Sequence, residues 1–138
     1  MKRALVFIPV VIVAVIILLL TLQDIERTVA LSEGFRSWIV SVCDRFGWDM
    51  LGSRIDSPVA IRRLGHVIEY FVLGAAAAIS IRKKRFALLL CICISVADQV
   101  IKIYVPGRRF DRMDLTFDAM GYGFGSGLIG LISGRRNE

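Results

Sequence analysis

The sequence is short of the residues that soluble catalysts and zinc modules rely on. It has one histidine and three cysteines, an odd count that cannot pair completely. Cys91 and Cys93 stand two apart, on different faces of a helix and off any metal-ligand spacing, so the cysteines read as small apolar fillers. No H-E-x-x-H occurs, and one histidine makes a thin ligand set, so neither a metal nor a cofactor is expected. A glycine-rich phosphate loop is absent, since the glycines of 121–127 form a packing surface, and no serine has a nucleophile-elbow context. The chain also lacks period-2 alternation, which excludes a membrane barrel, and it has no internal repeat.

Apolar residues are what it has in quantity. They make up 56% of the 138 residues, and mean hydropathy is +0.66. A soluble chain this small could not hide so much apolar surface, so the expected solvent is lipid. In lipid each backbone polar group must be satisfied within its own helix. The net charge of +6 does not point to nucleic acid. The basic residues flank apolar segments, as in Arg82-Lys83-Lys84-Arg85 and Arg135-Arg136, where they set topology and meet lipid headgroups.

Four apolar runs, at about 4–22, 64–81, 86–104 and 114–133, each approach the roughly 20 residues needed to cross ~30 Å of hydrocarbon. The first reads as an uncleaved anchor, with Pro9 as a kink. Between the first and second runs, Leu31, Phe35, Trp38, Ile39, Val42 and Phe46 recur at helical spacing. That pattern fits a helix lying along the membrane surface or one packed on the bundle. Ser57-Pro58 punctuates the chain before the second run. The expected fold class is therefore all-α: a single membrane domain over 1–138, an integral bundle of four transmembrane helices plus an amphipathic interfacial helix. Lys2, Arg3, the basic turn and Arg135-Arg136 are dense in very short segments, which places both termini in the cytoplasm. The glycines from Gly121 to Gly134 include small-xxx-small pairs and offer a face for a helix partner.

The ionisable residues then gather at one membrane face. His66, Glu69 and Tyr70, at i, i+3 and i+4, share a helix face near the start of the second span. Asp98 and Lys102 lie at the end of the third span, Asp114 and Asp118 at the start of the fourth, and Arg108, Arg109 and Arg112 in the turn between. A charge inside a span costs about 2.5–3.5 kcal/mol on insertion scales, so such groups turn inward and find partners. Asp98 with Lys102, and Asp114 or Asp118 with an arginine, could form a structural ion-pair network. Glu69 and His66 have no obvious local partner of opposite charge.

Three stretches carry a resemblance to the VanZ-like family of small bacterial integral membrane proteins. Arg62-Arg63-Leu64-Gly65-His66-Val67-Ile68-Glu69-Tyr70-Phe71-Val72-Leu73-Gly74 is similar to the family's basic-x-x-H-x-x-E-Y-x-x-L-G signature. Ala97-Asp98, followed by Tyr104-Val105-Pro106-Gly107-Arg108, resembles its D-E-x-x-Q-x-x-V-P-G-R stretch, and Asp114 to Gly121 resembles D-x-x-x-[DN]-x-x-G. The match spans about residues 30 to 133. Where the family has Glu and Gln this chain has Gln99 and Lys102, so a carboxylate is lost and a cation gained.

The resemblance implies a multi-pass protein of the bacterial cytoplasmic membrane with a role at the cell envelope, linked to resistance to glycopeptides of the teicoplanin type. The implied partners are membrane lipids and a lipid-linked wall precursor or a glycopeptide. His66, Glu69, Tyr70, Asp98, Lys102, Arg108, Arg109, Asp114 and Asp118 are the candidate ligand-binding residues. A binding protein, a membrane-embedded hydrolase or transferase acting on a lipid-linked substrate, and a structural or assembly subunit all remain open.

Overall fold

The computed structural model describes residues 6–23, 25–48, 52–53, 56–81 and 83–134. Lys2, Arg3, Arg82 and Arg135-Arg136, on which the topology expectation leans, lie outside the described residues, as does the start of the first apolar run. Among the described residues the chain is all helical. Five helices follow one another: α1 (Ile8–Thr21), α2 (Ile25–Arg45), α3 (Pro58–Ser80), α4 (Lys84–Tyr104) and α5 (Arg112–Gly134).

Local chemistry accounts for most of the boundaries. Pro9 falls in the first turn of α1, where its missing N–H would have had no partner, so it starts the helix instead of kinking it. α2 stops at a Schellman motif. Gly47 takes φ 68°, its N–H bonds to the Asp44 carbonyl at 3.2 Å, and the Trp48 N–H reaches back to Cys43 at 2.9 Å. α3 opens six residues earlier than its apolar run implies. Ser57 caps it, its hydroxyl accepting from the Ala60 N–H at 3.1 Å, with Pro58 in the first turn.

Among the described residues, α4 alone is long and apolar enough to cross a membrane unaided; α1 and α2 meet that condition only as a pair bent by 114°. The others fall short for an identifiable reason. α3 carries Arg62, Arg63, His66 and Glu69, while α5 carries Arg112, Asp114, Asp118 and six glycines. α2 does occupy the place expected of the amphipathic helix. Phe35, Ile39 and Val42 are half-buried, Leu31, Trp38 and Phe46 are exposed, and Arg36 ties the helix to Asp56 at 2.7 Å.

α3 is the hub of the bundle and packs most extensively on α5. Glycine permits that approach: a Cβ on Gly125 would land on the Phe71 carbonyl, one on Gly121 on the Val67 carbonyl, and one on Gly74 on the Tyr122 backbone. Cβ atoms at Gly123 and Gly127 would meet nothing. Two of the six glycines expected to receive a partner helix thus receive α3 of the same chain.

Polarity is distributed inside out. Thr21, Ser95, Asp98, Gln99, Lys102, Asp114 and Asp118 are buried, while Ile12, Leu19, Leu89, Ile92, Phe124 and Leu131 are exposed. An apolar cluster including Val10, Leu73, Ala77, Ala87 and Cys91 fills the other part of the interior. Cys43 and Cys91 are buried as expected of fillers, but Cys93 is exposed, because its position in α4 faces away from α3 and α5.

Candidate functional site

Antiparallel neighbours bring the end of α4 and the starts of α3 and α5 to one end of the bundle, and the polar residues meet there. Asp118 of α5 is fully buried. It accepts from Ser95 Oγ at 2.6 Å and lies 2.8 Å from His66 Nδ1. With Nδ1 donating to Asp118, Nε2 faces Asp114 Oδ2 at 3.3 Å and Lys102 Nζ at 3.3 Å. The neutral ring accepts there from lysine, and the charged ring donates to Asp114. His66 therefore has the partners that its own helix could not supply.

Asp98 of α4 pairs with Lys102 one turn on, Nζ to Oδ2 at 2.8 Å, as its i, i+4 spacing predicts. It also accepts from Gln99 Nε2 at 3.3 Å and from the Thr21 hydroxyl of α1. Lys102 reaches on to Asp114 at 3.4 Å. The arginine that pairs with Asp114 is Arg62 of α3, at 3.3 Å, which also holds Asp111 at 2.7 Å. The side chain of Gln99, fully buried, accepts from the Asp111 N–H at 3.2 Å and so clamps the α4–α5 turn to α4.

That turn aims Arg108. Pro106 and Gly107 occupy its centre, Gly107 takes φ 78°, and the Arg108 N–H bonds to the Val105 carbonyl at 3.1 Å. Proline followed by a positive-φ glycine is the type II pattern. The Arg108 guanidinium then reaches the Leu20 carbonyl at 3.3 Å and the Thr28 hydroxyl. Among the described residues it meets no carboxylate at ion-pair distance. Partial burial lowers its pKa, against the opposing pull of Asp98 and Glu69. Arg109 and Arg112 are exposed and do not join the cluster. Tyr70 is fully buried with its ring stacked on His66 at 6.3 Å between centroids, and among the described residues its hydroxyl has no partner within hydrogen-bond criteria.

Beside the cluster lies a cavity of about 370 Å³ walled by α1, α2, α3, the end of α4 and Arg108. Its apolar side comprises Ile17, Leu20, Leu31, Phe35, Ile61 and Ile68, and its polar side includes Gln23, His66, Glu69, Asp98, Lys102 and Arg108. Glu69 differs from the other carboxylates there. It has no hydrogen bond or ion pair among the described residues, whereas Asp98, Asp114 and Asp118 each have several. Gln23 Oε1, also on this wall, is a buried acceptor without a partner among the described residues.

His66, Asp98 and Asp118 each bring one ligand atom within 4.8 Å of the others, a spacing that could hold a metal ion. Lys102 already places an ammonium among them, at 2.8 Å from Asp98 and 3.3 Å from His66. The sequence motifs give no sign of this triad, because its members come from three helices.

The profile of the VanZ/LLP1 family matches residues 5–133. The chain belongs to that family. The match extends beyond the 30–133 region that the sequence motifs delimit, and takes in α1 and α2. No curated protein and no solved structure matches the chain.

Several participants in this family member's site are absent from the expected set. Thr21, Ser95 and Arg62 bond across helices, as do Gln99, Asp111 and Thr28 around the α4–α5 turn, and Gln23 stands on the cavity wall. Ser95 and Thr21 did carry a faint signal, as isolated polar residues near the ends of apolar runs, Ser95 being one turn before Asp98.

Proposed function

We propose that this VanZ/LLP1 member is a multi-pass protein of the bacterial cytoplasmic membrane whose cavity binds the polar head of an envelope lipid or lipid-linked wall precursor. α1, α3, α4 and α5 cross the bilayer, α2 lies along its surface, both termini are cytoplasmic, and the cavity opens at the outer face. The apolar outward side chains and the buried polar cluster support the membrane reading, since lipid reverses the usual placement of polar groups.

One observation carries the binding reading: two groups of opposite sign, Glu69 and Arg108, stand on the cavity wall, and neither is in an ion pair among the described residues. A charge left unpaired in a partly buried site is costly, and a ligand that meets it recovers that cost. Apolar walls alongside suit the first methylenes of an acyl or prenyl chain. Small-ligand pockets run from about 300 to 1,000 Å³, so this cavity takes a headgroup and not a whole glycopeptide. An effect on teicoplanin susceptibility would accordingly come through handling of envelope lipids or precursors.

The test is native mass spectrometry of the purified chain released from membranes. Wild type is expected to retain phosphate-bearing lipid, and Arg108→Gln to lose most of it while keeping its helical content. Equal retention by both would sink the reading.

The hydrolase or transferase reading has its own support in the His66–Asp118 pair, at 2.8 Å beside a cavity, an arrangement in which a base is oriented by a carboxylate. It requires turnover of an envelope lipid that Glu69→Gln abolishes. An assembly role would use the open Gly123 and Gly127 edge of α5.

A further inference from the structure

Resting on the headgroup-binding reading, we infer that the cavity selects a zwitterionic head in which a primary ammonium is joined to a phosphate, as in phosphoethanolamine. Glu69 and Arg108, neither in an ion pair among the described residues, are of opposite sign. Glu69 comes from the fourth turn of α3, and Arg108 from the turn after α4. They line the same cavity, yet they form no ion pair with one another. A ligand with both charges on a short linker can answer both groups at once, the phosphate on the guanidinium and the ammonium on the carboxylate.

Two details set the sign and type of the cationic end. The unpartnered Gln23 Oε1 gives the cavity a second acceptor, and an ammonium with three N–H donors can use both acceptors. A quaternary ammonium has no N–H to offer. A head with phosphate and hydroxyls alone leaves the Glu69 charge unanswered. Arg108 has donors beyond the Nη2 that bonds to Leu20 and Thr28, and its planar fork suits phosphate oxygens. Ile17, Leu20, Leu31 and Phe35 give the cavity an apolar side against which the first methylenes of a chain can lie.

The experiment measures binding to the full chain in detergent micelles, using short-chain phosphatidylethanolamine, phosphatidylglycerol and phosphatidylcholine, with soluble phosphoethanolamine as a fourth probe. Phosphatidylethanolamine is expected to bind about tenfold tighter than the other two lipids, the worth of one charge-assisted hydrogen bond. Glu69→Gln, nearly isosteric, should erase that preference, with helical content and thermal stability matching wild type as the check on its fold. Soluble phosphoethanolamine binding as tightly as the lipid would support the charge pairing and assign it to a water-soluble ligand. Phosphatidylglycerol binding as well as phosphatidylethanolamine, or an undiminished preference in Glu69→Gln, would overturn the zwitterion inference and leave headgroup binding standing. No binding of any probe would overturn both.

Discussion

Lys102 shows how much one side chain can decide. It is buried to 6% exposure, with Asp98 at 2.8 Å, Asp114 at 3.4 Å and the His66 ring at 3.3 Å. Removing one partner of a buried ion pair costs about 3–5 kcal/mol, because the other charge stays behind. Lys102→Ala is therefore expected to destabilise the bundle on that scale in denaturant titrations of the detergent-solubilised protein. A change under about 1 kcal/mol, the worth of an exposed pair, would mean that water screens the site. The same ammonium fills the cationic role in the His66, Asp98 and Asp118 triad. Thermal stability of the native chain should accordingly be insensitive to added Mg²⁺ or Zn²⁺. A rise in melting temperature would show that a metal displaces the lysine.

At the scale of elements, the α3–α5 contact rests on glycines that face α3. Gly125→Ala puts a methyl group onto the Phe71 carbonyl, and overpacking of this kind typically costs about 1–3 kcal/mol. Gly127→Ala faces open space and should be neutral or slightly stabilising, since alanine is the better helix former. Equal effects at the two positions would contradict the packing. Loss of an oligomer on substituting Gly125 would not by itself identify a partner surface, because the same change strains the chain's own fold. The Pro106-Gly107 turn is the second such element. Gly107 sits at φ 78°, where an L side chain costs about 1–2 kcal/mol. Gly107→Ala should lose that much stability and also weaken lipid retention, since the turn aims Arg108 at the cavity. Unaltered retention would separate the turn from the site.

The whole molecule is organised by its solvent. Exposed Ile12, Leu19, Leu89, Phe124 and Leu131 would be a liability in water, and the buried Asp98, Lys102 and Asp118 would be expensive in oil were they not paired. Orientation can be read by single cysteines on a background lacking Cys43, Cys91 and Cys93. Lys84 and Arg109 flank α4 at opposite ends, and both are exposed. A membrane-impermeant thiol reagent applied to intact cells should label position 109 and spare position 84. The reverse pattern would put the cavity on the cytoplasmic side and redirect the search to an intracellular ligand.

Apolar runs and punctuation made the helical class legible without coordinates. Ser57-Pro58, Pro106-Gly107 and the short link after Ser80 mark boundaries through local chemistry that each residue carries with it. The Asp98–Lys102 pair was legible for the same reason, being one turn apart on one helix. Helical spacing also grouped His66, Glu69 and Tyr70, but it could not say which would be paired. That depended on α5 delivering Asp114 and Asp118 to the His66 ring, while no described residue makes a hydrogen bond or ion pair with Glu69. Likewise Arg108 turned inward and Arg109 outward through the geometry of one turn. Sequence by itself determined which residues are apolar, where helices start and stop, and which neighbours lie within a turn. Only the tertiary structure decided which charges are neutralised, because a partner on another helix is set by packing and not by distance along the chain.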